Sequence, residues 1–225
     1  MEGNILEIKV LKNYWELGCR VADIVEYVLA LPEPKLVLPT GSTPLSLYKE
    51  LVNRDLDWST TTTFNLDEYV DNTIQDQSYR YFMMENLFKH TNMYDDNIYF
   101  PGDTAVWPDL SYGTGVDLCI LGIGGNGHIA FNEPGSSFES ETRMVDLTEE
   151  TIKDNSRFFP TIDDVPTQAV TMGLKPIMSS KKIVLMANGE HKLNILNVAM
   201  NGEITEDVPA SILQTHTNIE VFYCD

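Results

Sequence analysis

The chain has 225 residues, enough for one sizeable α/β domain, and its 34 Asp and Glu outweigh 15 Lys and Arg for a formal charge of −19. So acidic a surface repels phosphate backbones and anionic lipid, which excludes nucleic acid and membrane surfaces as expected partners, and no apolar run approaches bilayer-spanning length. The amino-terminal MEGNILEIKV lacks the basic region and long apolar core of a signal peptide, and Cys19, Cys119 and Cys224 are scattered and odd in number, so a cytoplasmic protein with reduced thiols is expected.

In chain order, residues 5–10 read as a strand, and Asn13 as the cap of a helix in which Tyr14, Leu17, Val21, Ile24, Val25 and Val28 follow the i, i+3, i+4, i+7 rule until Pro32 and Pro34 stop it. Residues 36–38 form a short buried strand running into the turn PTGSTP at 39–44, after which LSLYKELV has helical spacing. Pro44 suits the first helical position, and Ser42 or Thr43 the cap. Backbone N–H groups and two hydroxyls at the positive end of a helix suit a phosphate, although the Gly-Lys-Ser/Thr of a P-loop is missing and the turn taken alone reads as an N-cap. Residues 61–66, rich in β-branched side chains, are the next strand, with Asp67, Glu68 and Tyr69 at its carboxyl end, where adjacent acids are ordinarily solvated. Asp76 is expected to cap a helix with Tyr79, Phe82, Met83, Asn86 and Leu87 on one face and the Met83–Met84 pair as core filler.

After a short strand at 98–100, Pro101, Gly102, Pro108, Gly113 and Gly115 interrupt every helical window, leaving a loop with at most one turn near 104–107. The chain then reaches VDLCILGIGGNGHIAFNEPG at 116–135. Its first six residues read as a strand buried on both faces of a parallel sheet, and Gly122, Gly124, Gly125 and Gly127 let the backbone turn at the strand's carboxyl end. Gly122, Gly124 and Gly127 fit a dinucleotide fingerprint, but Pro134-Gly135 ends any following helix too soon to serve a pyrophosphate. A His and a carboxylate five apart, His128 and Glu133, read instead as a proton-transfer pair, with Asn126 beside them.

Thr148 opens a helix with Glu149 and Glu150 in its first turn and Arg157 near its end, beside Phe158 and Phe159. Residues 169–172 and 182–187 are strands, 188–190 turn into a helix bearing Lys192, 208–213 form a short helical turn, and 219–223 close the sheet. Strands alternating with helices predict a single doubly wound, Rossmann-like α/β domain over 1–225, with a largely parallel sheet and helices on both faces. Loops at one edge of that sheet gather 40–44, Asp67, 126–133 and Lys192. From charge alone, Arg157 and Lys192 are two of fifteen scattered cations, and His90, His128, His191 and His216 form no credible metal-ligand cluster.

GIGGNGHIAFNEPG, with LPTGSTP, FNLDEYV, SRFF and VPTQAVTMG, resembles the glucosamine-6-phosphate deaminase family over most of the chain. The resemblance implies isomerisation and deamination of D-glucosamine 6-phosphate to D-fructose 6-phosphate and ammonia, through an enolamine and without metal or cofactor. By the same resemblance Gly41, Ser42, Thr43, Arg157 and Lys192 bind the substrate phosphate. Asp67 moves the proton between C2 and C1, Glu68 and Tyr69 shape the site, His128 opens the ring, and Glu133 orients His128. Residues 142–171 resemble the family's lid. Asn126 departs from members that place Asp there; an amide can orient the imidazole without compensating its charge, and Asn also occurs in a shorter bacterial branch. Ser136 and Arg143 match two effector ligands of allosteric members, but Val145 and Asp146 replace the Lys and Thr, so no activation by N-acetylglucosamine 6-phosphate is expected.

Related sequences carry a helix where this chain has 101–115, so Trp107 is expected to pack on the uncovered sheet face, or else that face is buried in a self-contact. The alternative functions are a galactosamine-6-phosphate deaminase, a 6-phosphogluconolactonase, whose GHxA strand end continues differently, and an effector-binding domain of sugar-responsive repressors.

Overall fold

The computed structural model describes residues 6–70, 74–102 and 115–225. Trp107, on which the expectation of a patched sheet face rests, lies outside the described residues.

Strand β1 (Ile8–Val10) leads into helix α1 (Tyr14–Leu29), which Asn13 caps by accepting the Glu16 N–H at 2.9 Å. Strand β2 (Lys35–Leu38) leads into α2 (Leu45–Asn53) through the 39–44 turn, and here the expected cap is not made. Pro44 occupies the cap position and has no side-chain acceptor to bond the helix, while the Thr43 hydroxyl before it donates to Asn188 Oδ1 at 2.7 Å. Strands β3 (Thr62–Asn65) and β4 (Asp67–Tyr69) follow, then α3 (Tyr79–Asn86) and β5 (Ile98–Tyr99). Ser78, not Asp76, caps α3 by accepting the Tyr81 N–H at 3.0 Å, and Asp76 falls in a 3₁₀ turn just before it. Beyond β6 (Leu118–Leu121) come β7 (Arg143–Asp146), α4 (Glu149–Asn155), β8 (Gln168–Thr171) and α5 (Leu174–Met178). The described chain ends with β9 (Ile183–Asn188), α6 (Glu190–Asn201), a 3₁₀ segment at Pro209–Thr215 and β10 (Ile219–Cys224).

Seven strands form one sheet in the order β1-β10-β9-β6-β2-β3-β5, and every neighbouring pair is parallel. Parallel strands need crossovers, and the helices that make them bury both faces. Successive side chains point to opposite faces, so Leu36, Leu38, Leu118, Ile120, Val184 and Met186 join α1, α2 and α3 in one core. Val37, Cys119, Leu121, Ile183, Leu185 and Ala187 join α5 and α6 in the other. Each such aliphatic side chain contributes roughly 1.5–3 kcal/mol on burial. The doubly wound α/β class read from the alternating pattern is the class observed. No helix among the described residues is long and apolar enough to cross a membrane.

The order of the strands reverses between β2 and β6: from β2 the chain moves outward to β3 and β5, and from β6 it moves the other way to β9 and β10. The loops leaving the carboxyl ends of those two neighbours diverge and leave a crevice, the expected ligand position in an open α/β sheet.

A second sheet was not foreseen. β4, β8 and β7 form a three-stranded antiparallel layer in which Asp67 pairs with Thr171 and Arg143 pairs with the same Thr171 from the other side. Residues 67–69 therefore do not extend β3, and 168–171, although β-rich, do not join the large sheet. Leu66 is the junction: its N–H bonds Leu38 of the large sheet and its carbonyl accepts the Met172 N–H leaving β8. Tyr69, Phe131, Leu147, Phe159, Val165 and Ala169 give this layer and α4 a small core of their own.

Candidate active site

A cleft of about 600 Å³ opens over the β2–β6 crevice. It is lined from the large sheet by Gly41, Ser42, Thr43 and His128, from the small sheet by Asp67, and from the helices by Arg157 and Lys192. Asn126 and Glu133 do not line it; they stand behind His128 as its support.

The glycines of the 122–127 segment have separable reasons. A Cβ on Gly124 would fall 2.2–2.4 Å from the His128 ring, so the imidazole occupies space that only glycine leaves free. Gly127 adopts φ +88, where a side chain is strained and would also press on Val208. The Gly124 N–H donates to the His128 carbonyl at 2.9 Å, closing the loop tightly enough that no helix forms after it.

His128 Nδ1 lies 3.4 Å from Glu133 Oε2 without the alignment of a hydrogen bond, so the pair is held by charge when the imidazole is protonated. Glu133 itself is tightly fixed. The Asn126 amide donates to Oε2 at 2.8 Å, and the Thr151 hydroxyl donates to Oε1. Burial pushes the Glu133 carboxyl up, but His128, Thr151 and Asn126 outweigh it and hold the group at about 2. Asn126 thus works differently from the expectation: its amide grips Glu133 and its carbonyl accepts the backbone N–H of His128 at 3.1 Å, rather than touching the ring.

Asp67 is only 6% exposed. Burial pushes its carboxyl to about 8, and the neighbouring charge of Glu68 adds to the rise. An acid so placed is a proton acceptor poised near neutral pH. Glu68 faces away from this task, accepting the backbone N–H groups of Tyr69, Tyr79 and Arg80 at 2.9, 3.0 and 2.8 Å. It ties β4 to the start of α3. Tyr69 packs among Tyr79, Phe131 and Phe159, forming an aromatic wall beside Asp67.

At the other end of the cleft Gly41, Ser42 and Thr43 precede α2, and the Tyr14 hydroxyl braces the turn by donating to the Ser42 carbonyl and accepting the Ser46 N–H at 3.0 Å. Lys192 is half-buried at the start of α6; burial and the nearby Arg157 lower its pKa while Asp154 opposes them. Arg157 is exposed, with its guanidinium 4.7 Å from the Phe158 ring centre. Arg143 and Ser136 are bonded to each other at 3.2 Å, and Arg143 also donates to Asn132 at 2.8 Å. Among the described residues no three His, Cys, Asp or Glu side chains converge as a metal site.

Two site residues escaped the sequence reading. Asn188, which holds Thr43, ends β9 at the same sheet edge as the glycine-rich loop, a position that could have flagged it. Thr151 gave no signal, since nothing local distinguishes a third-residue helix threonine that reaches Glu133 from one that faces water.

The profile of a family described as glucosamine-6-phosphate isomerases/6-phosphogluconolactonase matches residues 20–222. A glucosamine-6-phosphate deaminase of Lachnoclostridium phytofermentans is 45% identical, over 94% of this chain and 96% of its own length. A solved structure of a monomeric glucosamine-6-phosphate deaminase superposes with a TM-score of 0.92 at 35% identity, covering 97% of each chain. A putative 6-phosphogluconolactonase from Neisseria gonorrhoeae superposes at 0.73 with 23% identity over 98% of this chain and 100% of its own, a likeness of fold alone.

Proposed function

The chain belongs to the glucosamine-6-phosphate isomerase/6-phosphogluconolactonase family, and we propose that it is an enzyme converting D-glucosamine 6-phosphate to D-fructose 6-phosphate and ammonia in amino-sugar catabolism. The observation that carries the reading is the placement of a deeply buried acid, Asp67, in one cleft with an imidazole backed by a carboxylate. Those are the two proton-transfer stations the chemistry needs.

The substrate is mostly a closed ring. His128, as an imidazolium stabilised by Glu133, protonates the ring oxygen as the C1–O5 bond breaks and takes up the proton that the C1 hydroxyl releases, leaving the open-chain aldehyde. Asp67 then takes the C2 proton while the aldehyde oxygen on C1 is protonated from solvent, giving an enolamine, and returns its proton to C1. The resulting imine at C2 adds water and releases ammonia. The N–H groups and hydroxyls of Gly41, Ser42 and Thr43, at the positive end of α2, receive the phosphate together with Lys192 and Arg157, whose guanidinium can bind two oxygens. A half-buried Lys192 supports this role, because a cation kept from water gains most from an anionic partner.

Residues 142–171, comprising β7, α4 and β8 with their separate small core, are proposed to act as a lid that closes over the sugar and excludes water. The whole chain is proposed to work as one domain in the cytoplasm. The similar deaminase is monomeric, which favours a monomer as the working unit over self-association.

The test is release of ammonia from glucosamine 6-phosphate without added metal, run beside galactosamine 6-phosphate and 6-phosphogluconolactone. Ammonia from the glucosamine ester is expected. Hydrolysis of the lactone as the sole activity would overturn the reading.

A further inference from the structure

We propose that Thr151, on α4, is a positioning residue for the Glu133–His128 pair, an assignment that rests on the ring-opening role given to His128 above. Thr151 is the third residue of α4 and is buried. Its backbone N–H goes to the Thr148 cap at 3.2 Å, and its hydroxyl oxygen accepts from the Thr148 hydroxyl at 3.1 Å. With its acceptor side taken, the Thr151 hydroxyl has its proton directed outward, and the atom it meets is Glu133 Oε1. Two threonines in series thus end on a carboxylate.

Glu133 needs such a hold. Its other oxygen receives the Asn126 amide at 2.8 Å and faces His128 at 3.4 Å. A carboxylate fixed at one oxygen still swings about its last torsion; fixed at both, it keeps Oε2 against the imidazole. The other bonds between the 128–133 segment and the small sheet or its flank, Phe131 N–H to Thr171 Oγ1 at 3.0 Å and Asn132 to Arg143 and Met172 at 2.8 Å each, fix neighbouring residues and do not reach the carboxylate. Of the small-sheet layer, α4 supplies the contact to Glu133 through this one hydroxyl. Asp67 is held separately, on β4, where it pairs with Thr171 of β8.

Three readouts on wild type, Thr151→Val and Thr151→Ser test the assignment. Valine keeps the shape and removes the donor, so kcat for ammonia release should fall about ten- to hundredfold, as expected for a lost hydrogen bond to a charged group. Affinity for glucitol 6-phosphate, an open-chain ester with no ring to open, should stay within about twofold, and serine should recover most of the rate. The 13C carboxyl resonance of Glu133 should titrate closer to the ordinary carboxylate range in Thr151→Val and stay low in Thr151→Ser. A valine variant with unchanged kcat, a serine variant no better than valine, or an unmoved Glu133 titration would overturn the proposal. The carboxyl titration is read without substrate. If wild type released no ammonia, the deaminase reading would fall by itself and that titration would still decide the role of Thr151.

Discussion

Strand β6, at the centre of the seven-stranded sheet, is buried at each of its four residues, whereas β7, at the edge of the three-stranded sheet, alternates half-buried with exposed and leaves Met144 53% exposed. The large sheet is packed on both faces and is the part of the molecule that cannot yield without global unfolding. From its strand ends come the 39–44 turn and the His128 loop, groups whose positions must be fixed. The small sheet has one thin core and carries or adjoins Thr151 and Arg157, groups that reach over the cleft. Asp67 sits where the two meet, one residue past the Leu66 junction, and is buried because both layers close on it. The base of the proposed reaction owes its raised pKa to that seam.

The comparison is broken most severely by pH. Asp67 is held near 8 in the folded chain against an ordinary 3.8, so between those values the folded state keeps a proton that the unfolded chain has lost, and stability falls as pH rises from about 4 to 8. Glu68, also raised by burial, acts in the same direction. Glu133 acts oppositely and lower down: held near 2 against 4.5, its contribution is present above 4.5 and lost as pH falls toward 2. Urea midpoints should therefore decline from pH 5 to pH 8, and less steeply in Asp67→Asn.

Next in size is the large sheet's core. Ile120→Ala empties space between β6 and the helices and should cost about 2–5 kcal/mol of stability by denaturant titration. Met144→Ala, on the small sheet's exposed side, should cost less than about 0.5 kcal/mol. Between these lies the binding prediction: Lys192→Ala should weaken sugar-phosphate affinity by about 1.5–3 kcal/mol in titration calorimetry while leaving the urea midpoint near wild type. Exposed Arg157 should give the smaller loss of the pair.

What could be read in the sequence follows the same division. Strands buried on both faces announce themselves as apolar runs, so LCIL and IVLMA were placed, and Asn13 and Thr148 were found as caps because their side chains have one local task. Four residues reading RMVD carry too little alternation to signal an edge strand, and β7 was missed. Leu66 looks like one more strand residue in sequence; its change of sheet is a tertiary decision that no local pattern records. The site residues named from motifs do meet in one cleft or directly behind it, but the partners that hold them, Thr151 for Glu133 and Asn188 for Thr43, lie far away along the chain and became visible only with the fold.

The claim that a buried acid at the seam is the isomerising base is tested most directly by following exchange of the C2 proton of glucosamine 6-phosphate with deuterated solvent in Asp67→Asn. The amide keeps the shape and the buried site but cannot take a proton. The account predicts that exchange is abolished while the sugar phosphate still binds; exchange at the wild-type rate would contradict it and place the base elsewhere.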